Sequence, residues 1–307
     1  MLKAAPHFAA QSGPSDAIVM NAWYVAAWSG ELGTDVLARR IAGRAMVLRR
    51  TKQGVEIVED RPPQAGAAET YPAVERDGII WVFPGDPARA AGVTIPEHPW
   101  ITQWWSAVGY ERIAARASLL IDNLLDLSHE SYLHARGIGT AEVAETPIEV
   151  ERRDDVLHVN RRMYGVACPP AFQASTGLPG PIDRFQEIAF HPPGFYVLHA
   201  RVAAAGDTGH GLLNKVVYGI TPETARTTHL FYGIARELDG RGDVPEAARK
   251  STQSRTVGED KRALELLETV IASEPDAAPE VSIGIDRGGL LGRRMIAELV
   301  ARETVTA

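Results

Sequence analysis

Asn123-Leu-Leu-Asp126-Leu-Ser-His129-Glu-Ser-Tyr-Leu-His134 is the stretch that decides how this chain is read, because it places a carboxylate and two imidazoles in one short segment. Two neutral imidazoles and one carboxylate on one face of an octahedron leave the opposite positions open for dioxygen and a substrate, the facial arrangement of mononuclear Fe(II) sites. The string reads as two-thirds of such a site, and a distant Asp or Glu must supply the third ligand. On a regular helix Asp126 and His129 share a face, whereas His129 and His134 diverge by roughly 140°. The helix therefore cannot stay regular through His134. Either a π-type turn or a helix end near Leu133 is needed to aim both rings at one ion. Leu119, Leu120, Ile121, Leu124, Leu125 and Leu127 surround the polar stripe, so these acids and imidazoles are expected indoors. Buried Asp and His need partners, and a metal is one. The histidine pair alone is a weak motif, with a satisfied hydrogen-bond cluster as the ordinary alternative. Asn123 and Asp126, at three-residue steps in an apolar helix, weigh against that alternative.

Outward from the string, the chain divides into three parts: a flexible N-terminus over 1–20, rich in Ala, Ser and Pro; a small β region over 21–100; and a large unit over 101–307. In the second part Ala45-Met-Val-Leu48, Val55-Glu-Ile-Val58 and Ile79-Ile-Trp-Val-Phe83 are short β-prone runs bounded by Gly, Pro and charges. A joint from Pro84 to Pro99 leads to a strand around Trp104, Trp105 and Tyr110. Between Val150 and Arg236 the runs Val156-Leu-His-Val159, Phe195-Tyr-Val-Leu-His199, Lys215-Val-Val-Tyr218 and His229-Leu-Phe-Tyr232 predict an antiparallel sheet. Helices are predicted over Val244 to Ser273 and Leu290 to Arg302. Gly206-Asp-Thr-Gly-His-Gly211 lacks the Lys-Ser/Thr of a phosphate loop and Gly288-Gly-Leu-Leu-Gly292 lacks a dinucleotide fingerprint, so both read as turns.

Composition excludes several classes. The chain has 307 residues, 45% of them hydrophobic, enough for a sizeable core. A net charge of -7, with arginine pairs dispersed among acids, gives no footprint for nucleic acid. No apolar run of about 18 residues is present to span a bilayer, and the start lacks the basic and apolar sections of a secretory leader. A single cysteine, Cys168, excludes an intrachain disulfide and fits a reducing cytoplasm. It reads as a packing residue or an ordinary free thiol. No Ser-His-Asp or thiol nucleophile arrangement supports a hydrolase.

At the opening string the chain resembles the Rieske non-haem iron oxygenases, and more narrowly the vanillate O-demethylase oxygenases. Ile121 to Gly139 is similar to the family's iron-binding helix. Asn21-Ala-Trp-Tyr-Val-Ala-Ala-Trp-Ser-Gly-Glu-Leu32 resembles its amino-terminal opening, and Asp77-Gly-Ile-Ile-Trp-Val-Phe-Pro-Gly-Asp86 the strand closing its Rieske domain. Thr221-Pro-Glu-Thr224, Ile285-Asp-Arg-Gly-Gly289 and Arg293-Arg294 resemble parts of its catalytic domain. The resemblance implies an α+β fold: a helix-grip (START-like) catalytic domain whose curved antiparallel sheet wraps long helices, preceded by a truncated Rieske-type β region. It implies that His129, His134 and Asp260 hold one Fe(II), with Asp126 and Asn123 beside them and Asp126 orienting a ligand imidazole. By itself Asp260, in Glu259-Asp-Lys-Arg262 ahead of apolar Ala263, Leu264, Leu267, Val270 and Ile271, reads as an acid at a helix N-terminus. His199, His210 and His229 fall in the β region as candidates for the substrate pocket, although a lone His on a strand is more often structural.

One departure from the family is chemical. A Rieske [2Fe-2S] centre takes two cysteine thiolates and two histidines, and this chain has one cysteine. Where the cluster loops belong, Val55-Glu-Ile-Val-Glu-Asp60 runs through Arg61 to Glu69 almost directly into Gly78 to Phe83, so no [2Fe-2S] ligands are expected here. Monooxygenation takes two electrons from outside the substrate. Three alternatives follow: another polypeptide supplies them, the iron site has changed its use, or the chain is an inactive or assembly-only subunit. The intact ligand set weighs against decay. The expectation is an oxygenase subunit acting on a small aromatic substrate with O2, by demethylation or hydroxylation. Its partners would be a separate Rieske ferredoxin or cluster-bearing subunit plus a reductase, in a homo- or hetero-trimer. The reading from another class is a non-catalytic ligand-binding or scaffold subunit.

Overall fold

The computed structural model describes residues 17–62, 66–178, 180–207, 211–236, 246–274 and 281–305. The expected flexible stretch over 1–20 lies outside these residues up to position 16, as does His210. Residues 17–20 are described, and Val19 is buried.

The first part builds two small sheets. β1 (Tyr24–Trp28), β2 (Leu37–Ile41), β3 (Arg44–Thr51), β4 (Gly54–Glu59), β5 (Thr70–Tyr71), β6 (Ala73–Arg76) and β7 (Ile79–Val82) sort into β2-β3-β4-β5 and β1-β7-β6. The turn between β6 and β7 has only Asp77 and Gly78, both at positive φ (53° and 77°), between the paired residues Arg76 and Ile79. That is the conformation whose twist suits a two-residue hairpin. Ile41, Met46, Leu48, Ile57, Ile80 and Val82 are buried where these sheets pack together.

Then come α1 (Trp100–Gln103), β8 (Trp105–Ile113), α2 (Ala117–Leu125), α3 (Glu130–Leu133), α4 (Ala141–Glu145), β9 (Glu149–Arg153), β10 (Val156–Val166), α5 (Pro170–Thr176), β11 (Ile182–His191), β12 (Phe195–Ala204), β13 (Leu212–Thr224), β14 (Thr227–Arg236), α6 (Glu246–Ser273) and α7 (Arg287–Val305). A seven-stranded antiparallel sheet runs β8-β14-β13-β12-β11-β10-β9. Its central strands are covered on both faces, and side-chain alternation sorts them. Tyr196, Leu198, Tyr218, Ile220, Leu230 and Tyr232 join Leu120, Leu124 and Leu125 of α2, Val257 and Leu264 of α6 and Met295 of α7. Phe195, Val217, Phe231 and Ala235 point the other way, against Val25, Trp28, Ile79 and Trp81 of the three-stranded sheet. The sheet grips helices on one side and rests on the smaller sheets with the other, the α+β architecture expected.

Two features differ from the sequence expectations. Gly288 to Gly292 is no turn but the first part of α7. A Cβ at Gly288 would lie 2.9 Å from the Leu125 carbonyl oxygen and one at Gly292 2.6 Å from Leu125 Cδ1, so glycine is the condition for α7 to reach the end of α2. Asp122 and Arg293 pair across the same contact. Secondly, α6 buries Leu264 but leaves Leu267 and Val270 exposed, so its apolar spacing does not mark a continuous core face. No helix among the described residues is long and apolar enough to cross a membrane.

Candidate metal centre and cavity

α2 ends where the spacing argument requires a change, but earlier than expected. Asp126 takes an extended conformation (φ -120°, ψ 91°), Leu127–His129 form a 3-10 turn, and α3 makes a single turn before His134 leaves the helix at φ -109°, ψ 19°. Of the two alternatives, the helix end near Leu133 is the one observed. This geometry brings His129 and His134 together with their ring centroids 5.2 Å apart and planes at 79°. Asp260 arrives from α6. It lies well inside that helix, so the reading of Asp260 as an acid at a helix N-terminus is corrected.

One ligand atom from each of His129, His134 and Asp260 lies within 4.8 Å of the others. Asp260 Oδ1 is 3.5 Å from His129 Nε2 and 3.2 Å from His134 Nε2. Both Nδ1 atoms are engaged elsewhere: that of His129 with the Asp126 carbonyl at 2.7 Å, that of His134 with Glu259 Oε2 at 2.7 Å. A carbonyl and a carboxylate only accept, so each Nδ1 carries the proton and each Nε2 presents a lone pair. Two lone pairs facing a carboxylate oxygen at these distances require a cation or a proton among them. His134 Nε2 is buried and makes no hydrogen bond among the described residues. The ring is 1% exposed, and burial lowers its pKa, yet the facing Asp260 carboxylate, the Glu259 hydrogen bond and the charge of Glu130 outweigh burial and leave it raised. The donor set, two imidazoles and a carboxylate, suits a divalent transition metal, and the triad can hold one.

The neighbours take unequal parts. Asn123 donates from Nδ2 to Asp260 Oδ1 at 3.2 Å, steadying that acid. Asp126 orients His129 through its backbone carbonyl, whereas its carboxylate accepts from Ser128 N and Oγ, both at 2.9 Å. The cause is the break in the helix: the short turn that follows needs a cap, and an Asp side chain at that position supplies it. The residue that orients His134 is Glu259, which sequence reasoning passed over although it adjoins Asp260.

A cavity of about 400 Å³ opens beside the triad. Leu124, Leu127, Phe172, Leu198, Val216 and Ile234 give it apolar walls. At the start of α3, Glu130 is buried and paired with Arg184, and it accepts from Gln186 Nε2 at 3.0 Å. Tyr196 and Tyr218 stand edge-on at 5.6 Å on the sheet side, and the Tyr196 hydroxyl is buried without a partner among the described residues. Burial raises both phenols well above their ordinary pKa, so they stay protonated.

The strand histidines are not part of this cavity. His199 alternates with the lining residues Leu198 and Ala200 and therefore faces away. His229 is fixed on both nitrogens, by the Tyr110 hydroxyl at 2.8 Å and the Arg40 carbonyl at 2.9 Å, a structural role. Arg184, Gln186, Asn214 and Arg236 are further polar strand residues that face inward. The signal for them is the alternation of β11, β13 and β14, which the β-prone runs alone do not phase.

Metal-ligand convergence inside a gripped sheet is the arrangement expected of the non-haem iron oxygenases. Residues 113–302 match the family model of the vanillate O-demethylase oxygenase C-terminal domain. Among curated proteins, a vanillate O-demethylase oxygenase subunit from a Pseudomonas species is 36% identical over 246 residues, covering 76% of this chain and 74% of that protein. A second such subunit, from another Pseudomonas strain, is 30% identical over 341 residues, covering 94% and 96%. Among solved structures, dicamba monooxygenase bound to 3,6-dichlorosalicylic acid superposes with a TM-score of 0.87 at 26% identity, covering 94% of this chain and 99% of that one. The same enzyme with non-heme iron and dicamba gives 0.78 at 26% identity over the same shares. The chain belongs to the vanillate O-demethylase oxygenase family of Rieske-type oxygenases, and it is an oxidoreductase. Its relatives are named as subunits or components of larger systems.

Proposed function

We propose that the chain is the catalytic subunit of a multi-component oxygenase in which His129, His134 and Asp260 hold one Fe(II). Its substrate is an aromatic or similarly apolar small molecule, which it demethylates or hydroxylates. The observation that carries this reading is the convergence of two Nε2 lone pairs and a carboxylate oxygen beside an apolar cavity. Iron(II) at that point supplies the redox chemistry by which dioxygen delivers an oxygen atom to a substrate C–H bond. The Asp126 carbonyl and Glu259 keep the Nδ1 protons in place, so both Nε2 atoms remain ligands. Leu124, Leu127, Phe172 and Val216 take the apolar body of the substrate and exclude water. For a methoxy arene, the ether, dioxygen, two electrons and two protons yield the phenol, formaldehyde and water, the hydroxylated methyl carbon collapsing as a hemiacetal.

We infer further that the electrons come from a separate Rieske-cluster protein. A [2Fe-2S] centre of that type takes two cysteines and two histidines. Residues 21–100 contain no cysteine and one histidine, His98, whose Nδ1 is engaged by the Pro96 carbonyl at 2.9 Å. The two-residue Asp77-Gly78 turn leaves no loop between β6 and β7 to carry ligands. The 341-residue match to the second vanillate relative is longer than this chain, so the chain is gapped against it. The intact triad favours catalysis over a scaffold role.

Metal content and electron dependence test the reading. Purified anaerobically, the protein should bind about one Fe(II) per chain and contain no acid-labile sulfide, and His134→Ala should lose the iron. Substrate-dependent oxygen consumption should be absent with a reductase alone and appear when a Rieske-type ferredoxin is added. Iron retained by His134→Ala removes the triad, and sustained turnover without any cluster protein removes the partner.

A further inference from the structure

One guanidinium joins the outer wall of the cavity to the segment that carries His134. α5 supplies Pro170, Ala171, Phe172, Ala174 and Ser175 to the cavity lining, yet none of its residues is buried. A wall that faces the ligand space without packing into the core has little burial to hold it, and such segments open locally at low free energy. α5 is also a separate unit, begun by Pro169 and Pro170 and ended by Gly177 at φ 67°.

The contacts that tie α5 down lead to the metal-bearing segment. Ala171 N donates to the Gly137 carbonyl at 3.2 Å, and the Phe172 ring lies under the Arg184 guanidinium, whose Cζ is 4.9 Å from the ring centroid. Arg184 is 4% exposed, and its hydrogen bonds run to the same segment: Nη1 donates to the Ile138 carbonyl at 2.8 Å, and Nη2 pairs with Glu130. Glu130 stands between His129 and His134 in the chain, and its carbonyl accepts from His134 N at 3.2 Å. Gln186, two residues along β11 from Arg184, holds the Glu130 carboxylate a second time. A planar fork can grip a carboxylate and a carbonyl while its face takes an aromatic ring, which an ammonium cannot do. A metal ion on His129 and His134 fixes where Glu130 stands, and hence where that fork lies.

We propose that Arg184 is a positioning residue through which metal binding and closure of α5 are coupled. The loaded triad sets Glu130 and the 134–139 turn, Arg184 transmits that setting, and Phe172 docks α5 over the cavity. Water is then shut out of the cavity when the metal is present, and the cavity stays accessible when it is absent. This concerns the regulation of the proposed iron site and rests on the triad's holding a metal.

The single cysteine reports on α5 without turnover. Cys168 lies two residues ahead of the helix, half-buried, and burial pushes its thiol above the ordinary range, so lifting of α5 speeds its alkylation. Iodoacetamide alkylation is followed by mass spectrometry under anaerobic conditions, on metal-free protein and on protein saturated with Fe(II), and Fe(II) affinity is measured by chelator competition on the same preparations. Fe(II) should slow alkylation by about fivefold or more, the lower end for a coupling between sites. Phe172→Leu keeps the apolar bulk but removes the ring, and it should abolish the slowing. Because coupling is reciprocal, that variant should also bind Fe(II) more weakly, by no more than the factor by which Fe(II) slows alkylation of wild type. Phe172→Tyr keeps a ring and should behave as wild type. Arg184→Lys, which keeps the charge without the fork, should lose the slowing as well; its side chain is buried, and Phe172→Leu decides the matter if that variant does not fold. Fe(II) bound with no change in alkylation, or slowing that survives Phe172→Leu, overturns the coupling and leaves the iron site standing. Absence of Fe(II) binding by wild type overturns both.

Discussion

Replacing Glu259 by Gln isolates the contribution of the carboxylate behind His134. Glu259 Oε2 accepts from His134 Nδ1 at 2.7 Å, at the short end for a charge-assisted bond, against a ring that is 1% exposed. Gln preserves length and an accepting oxygen but removes the charge. A hydrogen bond to a charged group contributes about 1.5–3 kcal/mol and a neutral one about 0.5–1.5. The substitution therefore costs roughly 1–1.5 kcal/mol of the preference for a proton on Nδ1 and a lone pair on Nε2, a factor of about 5–10. Losing a second partner of this kind typically lowers metal affinity about 10- to 100-fold. The Glu259 side chain is 22% exposed, so water partly screens its charge and the lower end applies, about tenfold.

The assay is anaerobic competition for Fe(II) with a chromophoric chelator at fixed pH, comparing wild type with Glu259→Gln and Glu259→Ala. Alanine should cost more than glutamine, because it frees Nδ1 and lets the proton move to Nε2, which removes the ligand lone pair. Affinities within twofold of wild type for both variants would refute the argument and leave Glu259 as an acid that merely happens to lie near the ring.

Two further perturbations probe how the site is held. Arg116, at the start of α2, donates through its backbone N, Nε and Nη2 to Glu268 of α6, the side chains being 9% and 7% exposed. Glu268→Ala strands a buried guanidinium and should destabilise the protein by about 3–5 kcal/mol in denaturant unfolding; a loss below 1 kcal/mol would show the pair to be solvated. Burial pushes the Glu268 carboxyl up, and Arg116 outweighs it, leaving the pKa below the ordinary value near 4.3. A lowered folded pKa gives stability that is complete above the ordinary value and is lost as pH falls through the folded one. Wild type should therefore lose more stability than Glu268→Gln in acid titrations below about pH 4.3, and parallel titrations would contradict this. At Gly139 a Cβ would lie 1.7 Å from the Glu130 carbonyl oxygen, a backbone atom that cannot yield. Gly139→Ala should lower the thermal midpoint and iron retention together, and unchanged retention would mean that the 130–139 turn does not position His134.

The fold was legible wherever a pattern could be phased locally. The β-prone runs at Val156, Phe195, Lys215 and His229 became β10, β12, β13 and β14 because alternation and apolar content agree in strands covered on both faces. β11 was not identified, since Ile182-Asp-Arg-Phe-Gln-Glu places Arg184 and Gln186 on its buried face, and their partner Glu130 is remote in sequence. Gly288 to Gly292 was misread because a glycine cluster signals a turn unless a neighbouring helix needs the space, and α2 lies far away in sequence. At the site, His129 and His134 followed from their own spacing, and Asp260 only from family resemblance. Glu259 was beyond reach: which of two adjacent acids meets a ligand and which meets the ring behind it depends on where α6 crosses α3. His199 failed for the opposite reason, since a strand histidine carries no mark of the face it occupies until the register is known.

The break at Asp126 explains why this string, and not a regular helix, serves the site. Asp126 N still closes α2 on the Asp122 carbonyl at 3.0 Å, but Glu130 N turns to the Leu127 carbonyl instead of continuing the α pattern to Asp126. The Asp126 carbonyl thereby loses the α-type bond from Glu130 N, as carbonyls at a helix end do. His129 Nδ1 engages it at 2.7 Å. The same irregularity that swings His134 toward His129 thus supplies the acceptor that fixes the His129 tautomer, while the Asp126 side chain caps the turn that follows. A substitution that restored a continuous helix through 126–130 would lose both effects at once: the rings would part, and Glu130 N would compete with His129 Nδ1 for the carbonyl. The five-residue spacing is therefore not a compromise with helix geometry but the means by which one backbone break does both jobs.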